Sequence, residues 1–153
     1  MVFSSLKKLC SALLFTFLCL WHGPASTTEA GYVRIELSGL QNASGNIYIA
    51  VYDSDKSWLG ENTVLQQQVA IVDALDGALV LAELRLPPGE YAFSIFHDSN
   101  GNGKLDTNFF GIPKEPVALS NNARPRFGPP AFEDAVFLLG TEPVVQRISI
   151  ETM

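Results

Sequence analysis

The chain predicts an all-β fold, an antiparallel sandwich of about seven strands. Three observations carry that expectation. Apolar and polar residues alternate with a period of two in several separate segments. Clusters of Gly, Pro, Asn and Asp divide those segments. No stretch shows the i, i+3, i+4 apolar spacing of a convincing amphipathic helix.

Residues 32–37 open the series. Val33, Ile35 and Leu37 face one side and Arg34 and Glu36 the other, which is the pattern of a half-buried strand. Residues 38–45 are polar, contain Gly39 and Gly45, and read as a turn. In residues 46–52, Ile47, Ile49 and Val51 share a face. A polar loop with Trp58 spans 53–62, and 66–72 alternates weakly. Residues 78–86 follow an Asp76-Gly77 turn and offer Leu79, Leu81 and Leu84 as their apolar positions. Pro87-Pro88-Gly89 interrupts the chain before residues 90–96, where Tyr91, Phe93 and Ile95 align. Residues 107–131 hold five prolines and no periodicity, so they predict a long irregular segment, a feature that is often functional. Residues 136–139 and 144–150 close the fold, with Pro143 at a strand entry, where a missing N–H is tolerated.

Residues 1–30 predict a secretory signal peptide. Lys7 and Lys8 precede an apolar run from Leu9 to Trp21, and Ala25 or Ala30 supplies a small residue for cleavage. The run is short of the roughly 20 residues a membrane span needs, so no span is expected after cleavage. Residues 31–153 are then one domain, destined for the periplasm or the exterior of a bacterial cell. Cys10 and Cys19 both fall in the leader, which leaves the exported part without a disulfide. Removing 1–30 leaves eight basic and fifteen acidic residues. That balance argues against a nucleic-acid partner, which needs clustered Lys and Arg facing phosphates.

The segment from His97 to Asp106 carries most of the chemistry. Asp98, Asn100, Asn102 and Asp106 place side-chain oxygens at positions 1, 3, 5 and 9 of a calcium-type loop. Gly103 stands at position 6 and Leu105 at position 8, and Lys104 at position 7 coordinates through its main-chain carbonyl. A plain hairpin explains the glycines and asparagines, through the positive φ its turn needs. It does not explain Asp at both ends with oxygens alternating between them. Position 12 is Phe109 instead of the bidentate Glu of a full EF-hand, and flanking helices are missing. The expectation is therefore a short calcium loop between strands, completed by Glu115 or by Asp53 and Asp55. With two loop carboxylates its dissociation constant falls in the weak extracellular range, roughly 10⁻⁴ to 10⁻³ M. Magnesium, which keeps more of its own water, fits less well.

Several motifs resemble one bacterial family. They are Leu86-Pro87-Pro88-Gly89-Glu90-Tyr91-Ala92, the run from His97 through Asn108, Gly111-Ile112-Pro113-Lys114-Glu115, Ser120-Asn121-Asn122, and Pro130-Ala131-Phe132-Glu133 followed by Ala135. Together they resemble DUF2141, a family of exported, uncharacterised domains, over residues 32–150. The resemblance implies a β-sandwich and no particular activity. After Glu115 the chain departs from the family's glycine-aromatic pattern, with Pro116-Val117-Ala118-Leu119-Ser120 in its place. The Leu-Pro-Pro-Gly-x-Tyr entry is also similar to transthyretin-like and collagen-adhesin B-type domains, which makes the expected sandwich immunoglobulin-like or transthyretin-like.

Catalytic groups are sparse. His22 belongs to the leader, so His97 stands alone, without a second histidine for a metal pair or an elbow motif for a nucleophile. Its parity with Tyr91, Phe93 and Ile95 predicts a histidine at a strand end that supports the loop. Arg124, Arg126 and Phe127 form the best recognition cluster of the Pro-rich segment, with Glu133 and Asp134 as the expected local partners of the arginines. The leading expectation is a non-catalytic binding or accessory module of the cell envelope, with an envelope protein or a glycan as ligand and one structural calcium ion. The alternative is a hydrolase or transferase with its site between His97 and the Arg124/Arg126 loop.

Overall fold

The computed structural model describes residues 29–125 and 128–152. The leader's Lys7, Lys8, Cys10 and Cys19, and the candidates Arg126 and Phe127, lie outside the described residues. Among the described residues nine strands form two sheets. In chain order they are β1 (Gly31–Ser38), β2 (Asn46–Tyr52), β3 (Leu65–Ala70), β4 (Leu75–Asp76), β5 (Leu79–Leu86), β6 (Gly89–Asp98), β7 (Val117–Leu119), β8 (Phe137–Leu139) and β9 (Val144–Ser149). One sheet runs β4-β5-β1-β9. The other runs β3-β2-β6-β7, and β8 pairs with the start of β6. The excess of two over the expected count is β4 and β7, pieces of two and three residues that are too short to show a period in the sequence.

The alternation places the core. Val33, Ile35 and Leu37 of one sheet and Ile47, Ile49, Val51, Phe93 and Ile95 of the other are buried in a single apolar cluster. Burying such side chains is worth about 1.5–3 kcal/mol each, so the facing stripes set the register of both sheets. On β5 the buried residues are Val80, Ala82, Leu84 and Leu86, whereas Leu79 and Leu81 are only partly covered. Of the expected apolar positions, Leu84 is in the core and Leu79 and Leu81 are on the opposite parity. Glu83 and Arg85 share the Leu79 parity, and keeping those charges in water decides the orientation.

Two further expectations are corrected. Among the described residues every strand pair is antiparallel except β1 with β9, which runs parallel from Val33↔Val144 to Ser38↔Ser149. Residues 107–131 are not structureless. They contain the isolated bridge Thr107↔Pro113, β7, and a 3₁₀ turn at Ser120–Asn122. Two four-residue helices, α1 (Ile71–Ala74) and α2 (Phe132–Ala135), also appear, and the weak pattern at 66–72 ends at Ala70 where α1 begins. Among the described residues no helix is long and apolar enough to cross a membrane.

The 3₁₀ turn joins the two sheets through polar side chains. Ser120 is fully buried. Its Oγ accepts the Phe93 N–H at 2.9 Å and donates to the Ala135 carbonyl at 2.7 Å. Asn121 and the buried Gln146 of β9 exchange two hydrogen bonds, both 3.1 Å. Asn122 donates to the Arg147 carbonyl and accepts the Ser149 N–H. Asn121 and Asn122 sit at φ of +56° and +53°, a region that asparagine tolerates. On the outer face of β2 and β6, Trp58 packs edge-on against Tyr52 and Phe132, and its Nε1 donates to the Pro130 carbonyl at 2.8 Å.

Removing the Ser120 hydroxyl would strand two buried backbone groups. Ser120→Ala is expected to cost roughly 1–3 kcal/mol of stability in urea melts. Ser99→Ala, at an exposed position, should stay within about 0.5 kcal/mol. Equal melting midpoints for the two variants would show that the hydroxyl is not what ties these segments together.

Candidate metal site

The loop begins where β6 ends. The parity that buries Tyr91, Phe93 and Ile95 also buries His97, and Asp98 beside it is fully buried. Asp98 pairs with Asn46, the first residue of β2. Gly45 precedes that pair at φ +79°, and a Cβ there would collide with the Asp98 carbonyl oxygen. Only glycine allows this approach of the β2 entry to the root of the loop.

A buried carboxylate must be satisfied, and the loop does it with its own backbone. Asp98 Oδ1 accepts the N–H groups of Gly101 at 2.7 Å and Asn102 at 3.2 Å. Oδ2 accepts the Gly103 N–H at 2.8 Å. Gly101 and Gly103 adopt φ of +76° and +73°, which brings these donors round to one side. Asn100 Oδ1 accepts the Asn102 N–H, and Asn102 Oδ1 accepts the Lys104 N–H. The two amide nitrogens then converge on Asp106, donating to its Oδ2 at 2.7 Å and 3.0 Å.

Glu115 closes the arrangement from outside the loop. Its Oε2 accepts the Asp106 N–H at 3.1 Å, while the Lys114 N–H donates to the Asp106 carbonyl at 2.8 Å. Glu115 is only 6% exposed, and its other oxygen, Oε1, is buried without a hydrogen-bond partner. Asp53 and Asp55 do not reach this place. The β2–β6 register sets Asn46 opposite Asp98 and Tyr52 opposite Ala92, so Asp53 follows the far end of β2, about 20 Å away at strand rise. The Asp53 carboxylate instead accepts hydrogen bonds from Ser54 and Ser57. Among the described residues no group of three His, Cys, Asp or Glu side chains has the makings of a metal cage. The loop's donors are of another composition: two aspartates, two asparagine amides and main-chain carbonyls.

His97 supports the root. Its Nε2 donates to the Ser44 carbonyl at 2.7 Å, Nδ1 is buried without a partner, and its backbone N–H donates to the Pro116 carbonyl at 3.0 Å. Arg124 is engaged elsewhere. It makes a two-pronged ion pair with Glu151 at 2.7 and 2.8 Å, beside a cleft of about 310 Å³ that His97 does not line. The expected partners Glu133 and Asp134 are thus replaced by a residue from the end of the chain, and the Asp134 carboxylate accepts the Ala131 N–H.

A family model described as an uncharacterised protein conserved in bacteria matches residues 35–147. The chain belongs to the DUF2141 family. The match runs from the middle of β1 into β9, so it includes the loop, Glu115 and the Ser120–Asn122 turn. No curated protein and no solved structure matches this DUF2141 chain. Two features of the site escaped sequence reasoning. The contact between His97 and Ser44 joins residues far apart in the chain and has no local signal. The second is Asn108, whose Oδ1 accepts the N–H groups of Phe110 and Ile112 at 2.9 and 3.1 Å. An Asn followed within three residues by a glycine is a turn signature that could have revealed it.

In metal-free buffer Asp98 should matter more than Asp106, because its carboxylate is buried and answers three backbone donors. Asp98→Ala is expected to cost about 2–4 kcal/mol, and Asp106→Ala about half that or less. Urea melts in the presence of a chelator measure both, and equal losses would remove Asp98 from its place at the root of the loop.

Proposed function

We infer that this chain is an exported, non-catalytic accessory domain of the cell envelope, of the immunoglobulin-like or transthyretin-like kind, whose loop of residues 98–106 takes a calcium ion as a structural staple. The observation that carries the metal reading is Glu115, a buried carboxylate with one oxygen unpartnered, fastened to Asp106 by the other. An orphaned anionic oxygen in a protein interior is costly unless a cation or water answers it. The Asp106 carboxylate draws two amide N–H groups toward itself, so positive charge is already wanted at this point. Asp98, Asn100, Asn102, the Lys104 carbonyl and Asp106 would hold the ion with Glu115. These are hard oxygen donors, of the kind calcium prefers.

The ion would supply stability rather than chemistry. With residues 1–30 removed as a leader, the remaining domain has no cysteine, and a bound cation would cross-link the end of β6 to the chain that returns at Glu115. The non-catalytic reading rests on His97, whose ring lies in the interior with Nε2 committed to Ser44.

Calcium at about ten times its dissociation constant should raise stability by roughly 1.4 kcal/mol, or about 3–5 °C in melting temperature. Glu115→Gln and Asp106→Asn should each shrink that shift, and magnesium should produce less of it than calcium. A melting curve unmoved by millimolar calcium overturns the metal reading.

A further inference from the structure

We propose that the free edge of β3, with the cleft beside it, takes an extended, positively charged segment of a partner protein as an added strand. β3 ends its sheet, so one of its sides has no strand next to it. The Ile71 N–H donates to the Gly45 carbonyl at 3.2 Å, which fixes the phase of the antiparallel β2–β3 ladder. Leu65, Gln67 and Val69 then exchange bonds with β2, while the N–H and carbonyl groups of Gln66 and Gln68 point away from it. The other three sheet ends are closed or short. β4 has two residues. Val117 of β7 exchanges two backbone hydrogen bonds with Glu151. On β9, Asn122 takes the Ser149 N–H and donates to the Arg147 carbonyl. Natural edges are commonly protected by charged residues or proline, and Leu65–Ala70 contains neither.

The cleft decides the charge of the guest. It measures about 670 Å³ and reaches from Gln67 and Val69 of β3 across α1 to β5. Asp73, Asp76 and Glu83 line it, all three exposed, and among the described residues no Lys or Arg does. Residues 57–84 hold Glu61, Asp73, Asp76 and Glu83 and no basic residue. Arg34 stands opposite Glu83 in the β1–β5 register and Arg85 follows on the same strand face, so Asp73 and Asp76 set the sign. Among the described residues neither of these two is in an ion pair. A second copy paired at β3 would bring two acidic clefts together, which like charge opposes. A cationic strand meets them with opposite charge, while its backbone answers Gln66 and Gln68. Side chains alternate along a strand, so every second residue of the guest is a position for Lys or Arg.

The probe is a labelled peptide of alternating valine and lysine, matched to the six residues of β3, in buffer free of divalent metal. Those conditions separate the outcome from the calcium reading, which is tested by melting. Fluorescence anisotropy should show saturable binding below about 1 mM, weakened by salt. The same peptide with glutamate for lysine should bind much less. Hydrogen exchange at the Gln66 and Gln68 amides should slow when the lysine peptide is bound. Gln68→Pro removes an outward N–H, which an edge strand tolerates, and should weaken binding roughly two- to tenfold at an unchanged melting temperature. Asp73→Asn with Asp76→Asn should weaken it about two- to fivefold per carboxylate. Failure of the lysine peptide to bind, or binding that leaves both amides exchanging freely, overturns the proposal. Equal binding of a backbone N-methylated lysine peptide does the same, since that would be charge adhesion without strand pairing. So does self-association of the chain that Gln68→Pro abolishes, which would make a second copy the occupant.

Discussion

A carboxylate with no exposure to water, Asp98, fixes the middle of this protein. It ends the longest strand, β6, which pairs with β2, β7 and β8. A charge buried at that point is tolerable only while three N–H groups of the following residues surround it. The turn that delivers those donors determines the path of everything after it. The chain leaves over the 98–106 loop, runs out to the hairpin tip, and returns at Glu115 to meet the Asp106 N–H. The Pro116 carbonyl then accepts the His97 N–H, and β7 takes its place beside β6. A loop that starts and finishes on one strand has its two ends held by the same backbone.

The sandwich is closed on its other side by an equally polar device. Apolar stripes hold two sheets face to face, but they do not by themselves tie the edge strands together. Ser120, Asn121 and Asn122 do so, bonding to β6, to the end of α2 and to β9 within three residues. Buried polar groups contribute to a unique arrangement only when each is satisfied. Ser120 meets this condition, and Gln146 meets it through Asn121. The same segment carries the isolated bridge Val117↔Glu151, so the residues after β9 are joined to the second sheet as well as the first.

Alternation made the strands legible because burial on one face leaves a local trace. Residues 46–52 coincide with β2, and β1 and β6 extend the expected spans by one or two residues at their ends. Pairing is not local, so nothing in residues 144–150 revealed that β9 would run parallel to β1. On β5 leucines occupy both parities, and the two charged residues at 83 and 85 were the deciding signal. The loop was legible for the same reason as the strands: its acceptor atoms recur at fixed spacing. Which outside carboxylate approaches it depends on pairing: the β2–β6 register sets Asp53 at the opposite end, and the return of the chain to β7 beside β6 brings Glu115 near.

Phe109 occupies the position at which a full calcium loop would carry its last ligand, and in this chain that side chain is turned out into solvent. An approach by Glu115 instead of residue 109 frees the intervening residues to project as a hairpin. Asn108 then becomes the pivot, since its side chain takes two N–H groups and its main chain pairs with Ile112. Rigidity at the base and apolar exposure at the end are thus produced by the same short segment between Asp106 and Glu115. A flexible segment would let the two rings fold back on the nearby surface and hide them. Four of the five N–H groups from Asn108 to Ile112 are bonded within the hairpin, and that holds the two rings outward.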